Sequence, residues 1–299
     1  MHAALHIASS PAGRKQTRRP ARARTGILLS AMFAAVGVVG VAPAQAEPVP
    51  GLGSGSAGVT AEPDPQANFA PPSINIADGE VVGVAQPIII TFTEPVTDRA
   101  TAEKAIRITS SQDAPGHFYW RSDRQVRWRP DEFWPDNTDV QVAAGGTTSS
   151  FRIGDAVVAT ADDNTHIITI TRNGEVVKEM PTSMGKPGYE TPNGTYIVGE
   201  QLREMTMDSS TYGVPITDPE GYKLDVEYAT RISTSGIFVH AAPWSVGQQG
   251  VSNASHGCLN VSTADARWFF ENVGRGDPVI VQNTQGGTLS SGDGLGDWN

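Results

Sequence analysis

The chain has 299 residues, long enough for a leader and two modest domains. Its 32 glycines and 21 prolines, against 7% aromatic residues, favour a loop-rich β architecture over a helical bundle. The formal charge of −10 understates the acidity of the rest: residues 1–46 hold six of the 22 Lys and Arg and none of the 32 Asp and Glu, leaving 16 basic against 32 acidic side chains. So acidic a chain excludes duplex nucleic acid as a partner, since that binding rests on neutralising phosphates. A single cysteine, Cys258, excludes an internal disulfide framework.

Residues 1–46 read as an export signal. A basic stretch ends at Arg24, an apolar run covers Gly26 to Val41, and Ala44-Gln45-Ala46 has the small-x-small form of a cleavage site before Glu47. The basic, acid-free flank weighs against a short core helix. The expected destination is outside the cytoplasmic membrane. The run is only slightly short for a span, so an uncleaved signal-anchor stays open as the one membrane contact. No cysteine stands at the end of the run, where a lipid-modified N-terminus would need one, so that modification is excluded.

Residues 47–72 are rich in Pro, Gly, Ser and Ala, without hydrophobic period, and read as a flexible tether. Gly53-Ser-Gly-Ser-Ala-Gly58 matches G-x-G-x-x-G, but a dinucleotide site needs a strand before it and a helix after it, and Pro-rich sequence flanks it on both sides.

From residue 73 to 153 short β-type segments recur: Ile88 to Phe92, Ala105 to Thr109, Val140 to Val142, Ser150 to Ile153, and a hairpin of His117 to Arg121 with Gln125 to Arg129. About seven strands in eighty residues predict an immunoglobulin-like sandwich without its disulfide. Tyr119, Trp120, Trp128 and Trp134 stand among Arg121, Arg124, Arg127 and Arg129, a composition that would suit a platform for sugars or anionic wall polymers. Strand period favours a simpler reading, with Val126 and Trp128 facing the core and the arginines between them facing water.

A second β-rich domain covers 154–283. His166 to Thr171 and Glu175 to Lys178 flank Arg172-Asn-Gly174, and Asn-Gly is a strong two-residue hairpin signal. Thr191 to Tyr196 predicts a turn into a strand. Residues 199–225, with Met205, Met207, Tyr212 and Tyr222, read as a long irregular loop of the kind that forms lids or substrate walls. Ser262-Thr-Ala-Asp265 is a capping box opening a helix. Ala266, Phe269, Phe270 and Val273 form its buried face, and Gly274 is placed as its C-cap. Val279 to Val281 makes a last strand. The Gly-rich tail, 284–299, shows no usable period.

Chemistry concentrates between Ile237 and Val261. Cys258 lies two residues after His256 and eighteen after His240. A thiol of reference pKa about 8.5 needs a neighbouring imidazole to react near neutral pH, and spacing alone leaves both histidines open as that base. Gly257 lets the backbone approach a substrate and lets consecutive N–H groups converge on an oxyanion. The competing readings are a small buried hydrophobe, and a zinc site of His240, His256 and Cys258, which lacks a further ligand at metal-like spacing.

His240, fourteen intervening residues, then Ser255-His-Gly-Cys-Leu-Asn260 resembles the signature of the L,D-transpeptidases, the YkuD-like family, H-x(14–17)-[S/T]-H-G-C-h-N. Met207 to Pro215, Gly221-Tyr222, Val239 to Trp244 and Gly286 to Asn299 resemble the mycobacterial-type members, in which an immunoglobulin-like domain precedes the catalytic one. The resemblance covers roughly residues 70–299. It implies a mainly β chain: an immunoglobulin-like β-sandwich, then a β-rich L,D-transpeptidase catalytic domain with few short helices.

The resemblance also implies roles. Cys258 is the expected nucleophile and His240 its base, held in its tautomer by the backbone carbonyl of Ala241, where the family often has serine. His256 and Gly257 shape the loop. The amides of Gly257 and Cys258 and the Tyr222 hydroxyl face the oxyanion, Met207 and Trp244 line the lid and substrate path, and Ser255 and Asn260 complete the motif. The implied substrates are peptidoglycan stem peptides, a donor tetrapeptide and an acceptor stem, joined 3→3 with release of D-Ala. Carbapenem β-lactams are the implied covalent inhibitors, and no metal or cofactor is needed. Two rivals remain at this level: an L,D-carboxypeptidase using the same site, and a wall-binding protein without activity.

Overall fold

A computed structural model of the chain describes residues 66–299. The leader, the Gly53–Gly58 motif and the tether up to residue 65 lie outside the described residues. Among the described residues no helix is long and apolar enough to cross a membrane.

The first domain has eight short strands: β1 (Ser73–Ile74), β2 (Val81–Val82), β3 (Ile88–Thr91), β4 (Ile106–Ser110), β5 (Gly116–Trp120), β6 (Gln125–Pro130), β7 (Asp139–Ala144) and β8 (Thr147–Ile153). They form two four-stranded sheets, ordered β1-β3-β6-β5 and β2-β8-β7-β4. Alternation buries Ile88, Ile90, Val126 and Trp128 of one sheet with Val140, Val142 and Phe151 of the other, the sandwich core expected from the pattern. The hairpin around Ser122–Arg124 is present, with Tyr119 opposite Arg127. Residues 66–72, read as tether, already pack here: the Phe69 ring meets Phe92 edge-on at 4.8 Å. The sequence reading missed a six-residue helix, α1 (Arg99–Lys104), N-capped by Asp98; with only Ala102 buried it is too short to show a period.

The arginines do not all face water. Arg127 is 7% exposed and its guanidinium bonds both carboxylate oxygens of Asp297 at 2.7 Å. Arg121 donates to the carbonyls of Ser291 and Gly292, and Arg129 lies over the Trp298 ring at 4.5 Å. Trp298 Nε1 donates to Ala85 O at 2.9 Å. Alternation sets Arg127 and Arg129 off the core face, but not toward water as expected. That face is covered by the C-terminal tail, whose contacts come from charge and ring stacking rather than from a hydrophobic period.

The second domain carries β9 (Val157–Asp162), β10 (Ile167–Arg172), β11 (Glu175–Pro181), β12 (Gly194–Ile197), β13 (Gln201–Asp208), β14 (Lys223–Arg231), β15 (Phe238–Ala241), β16 (Leu259–Val261) and β17 (Pro278–Gln282), with helix α2 (Thr263–Asn272). One sheet is ordered β11-β10-β9-β17-β12 and the other β13-β14-β15-β16. Asn173 and Gly174 both have positive φ (51° and 86°), as the tight hairpin between β10 and β11 requires. Ile168, Ile170 and Val281 from the first sheet share a core with Val239 and Leu259 from the second and with Phe269 of α2.

Two expectations are corrected. Residues 199–225 are not irregular throughout: β13 and β14 pair antiparallel, and the excursion 209–222 between them opens with a short 3-10 turn, Ser209–Tyr212. The signal was weak because β13 is an edge strand with only Met207 fully buried. Ser262 caps α2 as predicted, its side chain accepting from Asp265 N, but the helix ends in extended Val273 rather than at Gly274. Gly274 instead donates its N–H to the Asp277 carboxylate at 2.7 Å.

Candidate active site

Strands β15 and β16 run parallel, with His240 beside Asn260 and Val239 beside Leu259. Paired residues and those two apart share a face, so Cys258, two before Asn260, comes to the face that carries His240. All four side chains of β15 are buried, which fixes His240 in place. The loop between the strands thus brings the two residues together despite their separation in sequence.

His240 Nδ1 donates to Ala241 O at 2.9 Å, so Nε2 carries the lone pair. The bond uses the backbone and is present with alanine at position 241. Burial pushes the imidazole down to about 4, partly opposed by that bond. Cys258 is partly exposed, with its thiol recessed; Sγ donates to Gly236 O at 3.7 Å. Burial pushes the thiol up to about 11, against the Phe238 backbone and the Arg231 charge. Low dielectric disfavours both charged forms, so the resting pair is neutral thiol and neutral imidazole.

The motif loop is held by its own polar atoms. Ser255 Oγ donates to Cys258 O at 2.6 Å and accepts the Gly257 N–H at 3.0 Å. Gly257 has φ +114°, a conformation side chains rarely adopt, which accounts for glycine before the thiol. Its N–H is engaged by Ser255 rather than directed at an oxyanion. Asn260 Nδ2 donates to Ser245 Oγ at 3.2 Å, its backbone pairs with Ser183, and its buried Oδ1 has no partner.

His256 points elsewhere. Its Nε2 meets Glu220 Oε2 at 2.8 Å, and its ring lies between Tyr189 (4.6 Å) and Tyr222 (5.3 Å). Lys186 Nζ bonds the same Glu220 oxygen, and the hydrogen bonds from Lys186 and then His256 hold the carboxyl below its usual range. His256 therefore ties the excursion 209–222 to the segment after β11. Lys186, Tyr189 and Glu220 were not found from the sequence. Glu220 adjoins the Gly221-Tyr222 pair already singled out, whereas Lys186 gave no signal.

Two cavities meet at the thiol. The first, about 200 Å³, is lined by His240, Trp244, His256, Asn260 and Leu224 among others; the second, about 370 Å³, by Arg231, Asp208, Thr206, Ser235 and Phe238 among others. Cys258, Met207 and Tyr222 belong to both. Trp244 stands at the mouth of the first, 54% exposed, its ring 6.1 Å from that of His240. Among the described residues no three His, Cys, Asp or Glu side chains converge as a metal site needs.

Residues 58–147 match a bacterial Ig domain and residues 156–281 an L,D-transpeptidase catalytic domain. The chain is 46% identical over 209 residues to L,D-transpeptidase 1 of Mycobacterium tuberculosis strain H37Rv, covering 70% of this chain and 83% of that protein. It belongs to the L,D-transpeptidase family. It is also 52% identical over 265 residues to L,D-transpeptidase 2 of M. tuberculosis strain CDC 1551, covering 83% of this chain and 65% of that protein's length. Among solved structures, that of LdtMt1 with imipenem superposes with a TM-score of 0.67 at 44% identity, over 74% of this chain and all of that one. L,D-transpeptidase 3 of M. tuberculosis with a faropenem-derived adduct gives 0.66 at 41% identity, over 72% and 99%. These agree with the mainly β, Ig-plus-catalytic architecture of this family member.

Proposed function

We propose that this protein is a peptidoglycan L,D-transpeptidase that works through a thioester on Cys258. The observation that carries the reading is a single thiol, beside a correctly tautomeric histidine, at the junction of two cavities. Acyl transfer between two peptides needs a donor and an acceptor side at one nucleophile, and hydrolysis needs only one.

In the first half-reaction the thiol turns from Gly236 O toward His240. Nε2 takes the proton as sulfur attacks the carbonyl between the diamino acid and the terminal D-Ala of a tetrapeptide stem. The C–N bond breaks, His240 returns the proton to the leaving amine, and D-Ala departs. In the second half, the side-chain amine of another stem attacks the thioester and His240 takes its proton; the C–S bond then breaks and His240 passes that proton to the sulfur, which regenerates the thiol and releases a 3→3 amide. Because both groups start neutral, proton transfer accompanies attack rather than preceding it. The Cys258 N–H and Tyr222 flank the carbonyl, and Gly257 N–H joins them only if Ser255 Oγ releases it. Carbapenems would acylate the same sulfur.

The domain plan proposed with this function is an export leader (1–46), a tether (47–72) whose last residues, 66–72, pack on the next unit, an Ig-like spacer (73–153), the catalytic domain (154–283) and a docked tail (284–299). It would put the enzyme at the cell wall outside the cytoplasmic membrane. Incubating the protein with muropeptide tetrapeptide and analysing products by mass spectrometry tests the reading. A cross-linked dimer with loss of D-Ala is expected; tripeptide alone would make it a carboxypeptidase, and unchanged substrate would remove the enzymatic reading.

A further inference from the structure

Arg231 ends β14 and pairs across the sheet with Phe238. Continuing the β15–β16 register one residue back from Val239 and Leu259 sets Cys258 beside Phe238. Arg231, Phe238 and Cys258 thus form one row over three strands, with side chains on one face. At about 4.8 Å per strand the Arg231 backbone lies roughly 10 Å from that of Cys258. The guanidinium leans over the Phe238 ring, 4.4 Å from its centroid, into the gap between them.

The charge there is unusual for this site. Only Asp208 and Arg231 bring charge to the lining of the second cavity, and the first is lined by no Lys, Arg, Asp or Glu. Asp208 is compensated: it accepts from Ser210 N at 2.9 Å and pairs with Lys223 at 3.2 Å. The ionic neighbour of Arg231 is Glu200, at 3.7 Å and more than half exposed, which is beyond hydrogen-bond reach. Arg231 therefore presents its guanidinium fork to the cavity one strand from the nucleophile, in a chain with 32 acidic side chains against 22 basic ones.

We propose that Arg231 receives the terminal α-carboxylate of the donor stem, so that the second cavity selects stems ending one residue beyond the bond Cys258 attacks. The assignment rests on the transpeptidase reading and names the group that gives it end-specificity. Consecutive Cα atoms are about 3.8 Å apart, so a carboxylate one residue past the scissile carbonyl falls about a strand's width from the sulfur, on the side of the Phe238 ring that the guanidinium covers. A planar fork matches a carboxylate bidentately, and the Phe238 ring beneath it limits its freedom before substrate arrives. A stem extended by another residue would place a neutral amide there, and the cation would gain no carboxylate beyond the distant Glu200.

The test uses the full-length protein with a synthetic tetrapeptide stem, once as the free acid and once as the terminal amide, following acylation of Cys258 by intact-protein mass. Wild type is expected to favour the free acid by about 10- to 100-fold, the worth of a hydrogen bond to a charged group. Arg231→Gln should slow only the free acid and abolish the preference, and Arg231→Lys should restore part of it. Equal slowing of both stems by Arg231→Gln, or a wild type indifferent to the terminus, overturns the role of Arg231. A wild type acylated by neither stem overturns the transpeptidase reading and the donor assignment with it. A second measurement needs no stem: the ratio of Cys258 alkylation rates with iodoacetate and iodoacetamide should fall severalfold in Arg231→Gln, and an unchanged ratio also overturns the proposal.

Discussion

His256 Nε2 stands 2.8 Å from Glu220 Oε2, and Lys186 closes on the same oxygen. The histidine nearest the thiol in sequence is thereby committed to the loop that walls the site. His240, eighteen residues away, donates Nδ1–H to the Ala241 carbonyl, which leaves the ring lone pair on Nε2.

The two histidines should separate cleanly in kinetics. His240→Gln is expected to slow carbapenem acylation of Cys258 by about 10²- to 10⁴-fold, the usual worth of a positioned base. His256→Gln, which displaces the loop, should cost on the order of tenfold. A mass-spectrometric time course of adduct formation measures both, and the reverse order would move the base to His256. Cys258→Ala should form no adduct at all.

Breaking the Glu220 contact without touching the reacting pair should loosen the wall. For Glu220→Gln we expect KM for the stem to rise on the order of tenfold with a smaller change in kcat, since positioning rather than chemistry is lost. Limited proteolysis within 213–222 should quicken in parallel. Unchanged cleavage would show that the loop is held by something else, such as the paired backbones of Ser209 and Tyr222.

The pH dependence follows from burial. Burial disfavours charge on both groups, leaving His240 near 4 and Cys258 near 11. Between those values the imidazole is neutral and the thiol protonated, so the reactive form is the majority form. The pH profile of kcat/KM should be flat across the neutral range, falling as His240 protonates below about pH 4–5. Iodoacetamide, which needs thiolate and no base, should instead alkylate about tenfold faster per pH unit up to about pH 11. A plateau in alkylation below pH 8 would reveal a thiolate–imidazolium pair.

Asp277 supplies a stability test. It sits 6% exposed, and burial pushes its carboxyl up to about 7 against the bond from Gly274 N–H. The folded state then binds more protons than the unfolded state between its unfolded pKa, about 3.9, and about 7, so stability falls as pH rises through that window. Asp277→Asn should melt roughly 2–4 °C higher at pH 8 and differ little at pH 4. Thermal unfolding at the two pH values checks it, and equal effects at both would discount the titration.

The tail contact can be weighed in the same way. Arg127 and Asp297 are 8% and 0% exposed at their side chains, and Tyr119 also donates to Asp297. Asp297→Ala leaves a buried guanidinium unpaired and should cost about 3–5 kcal/mol in denaturant unfolding, with much of the loss recovered in Arg127→Met/Asp297→Leu. A loss below about 1 kcal/mol would mean that the tail peels away and lets water reach Arg127.

Much of the architecture was legible because it is written in short-range rules. Alternation around Val126 and Trp128, the Asn173-Gly174 turn and the Ser262 cap depend on neighbours a few residues away, and each is present. The β13–β14 arm was missed because its exposed edge lacks the alternation a half-buried strand shows. Gly274 misled because a glycine after a helix often terminates it, whereas here its N–H is wanted by Asp277.

By itself the sequence determined the chemistry available: one thiol, two histidines, a glycine able to take φ +114°, and a spacing shared with a family. Only the tertiary structure decided which histidine is tied to Glu220 and which to the Ala241 carbonyl, what covers the Arg127 face, and that Arg231 shares a row with Cys258. Those relations depend on strand order and register, which join residues from 18 to 170 positions apart. Cross-strand neighbours and docked tails leave no period along the chain. They follow from burial and charge pairing that arise only once the sheets have assembled.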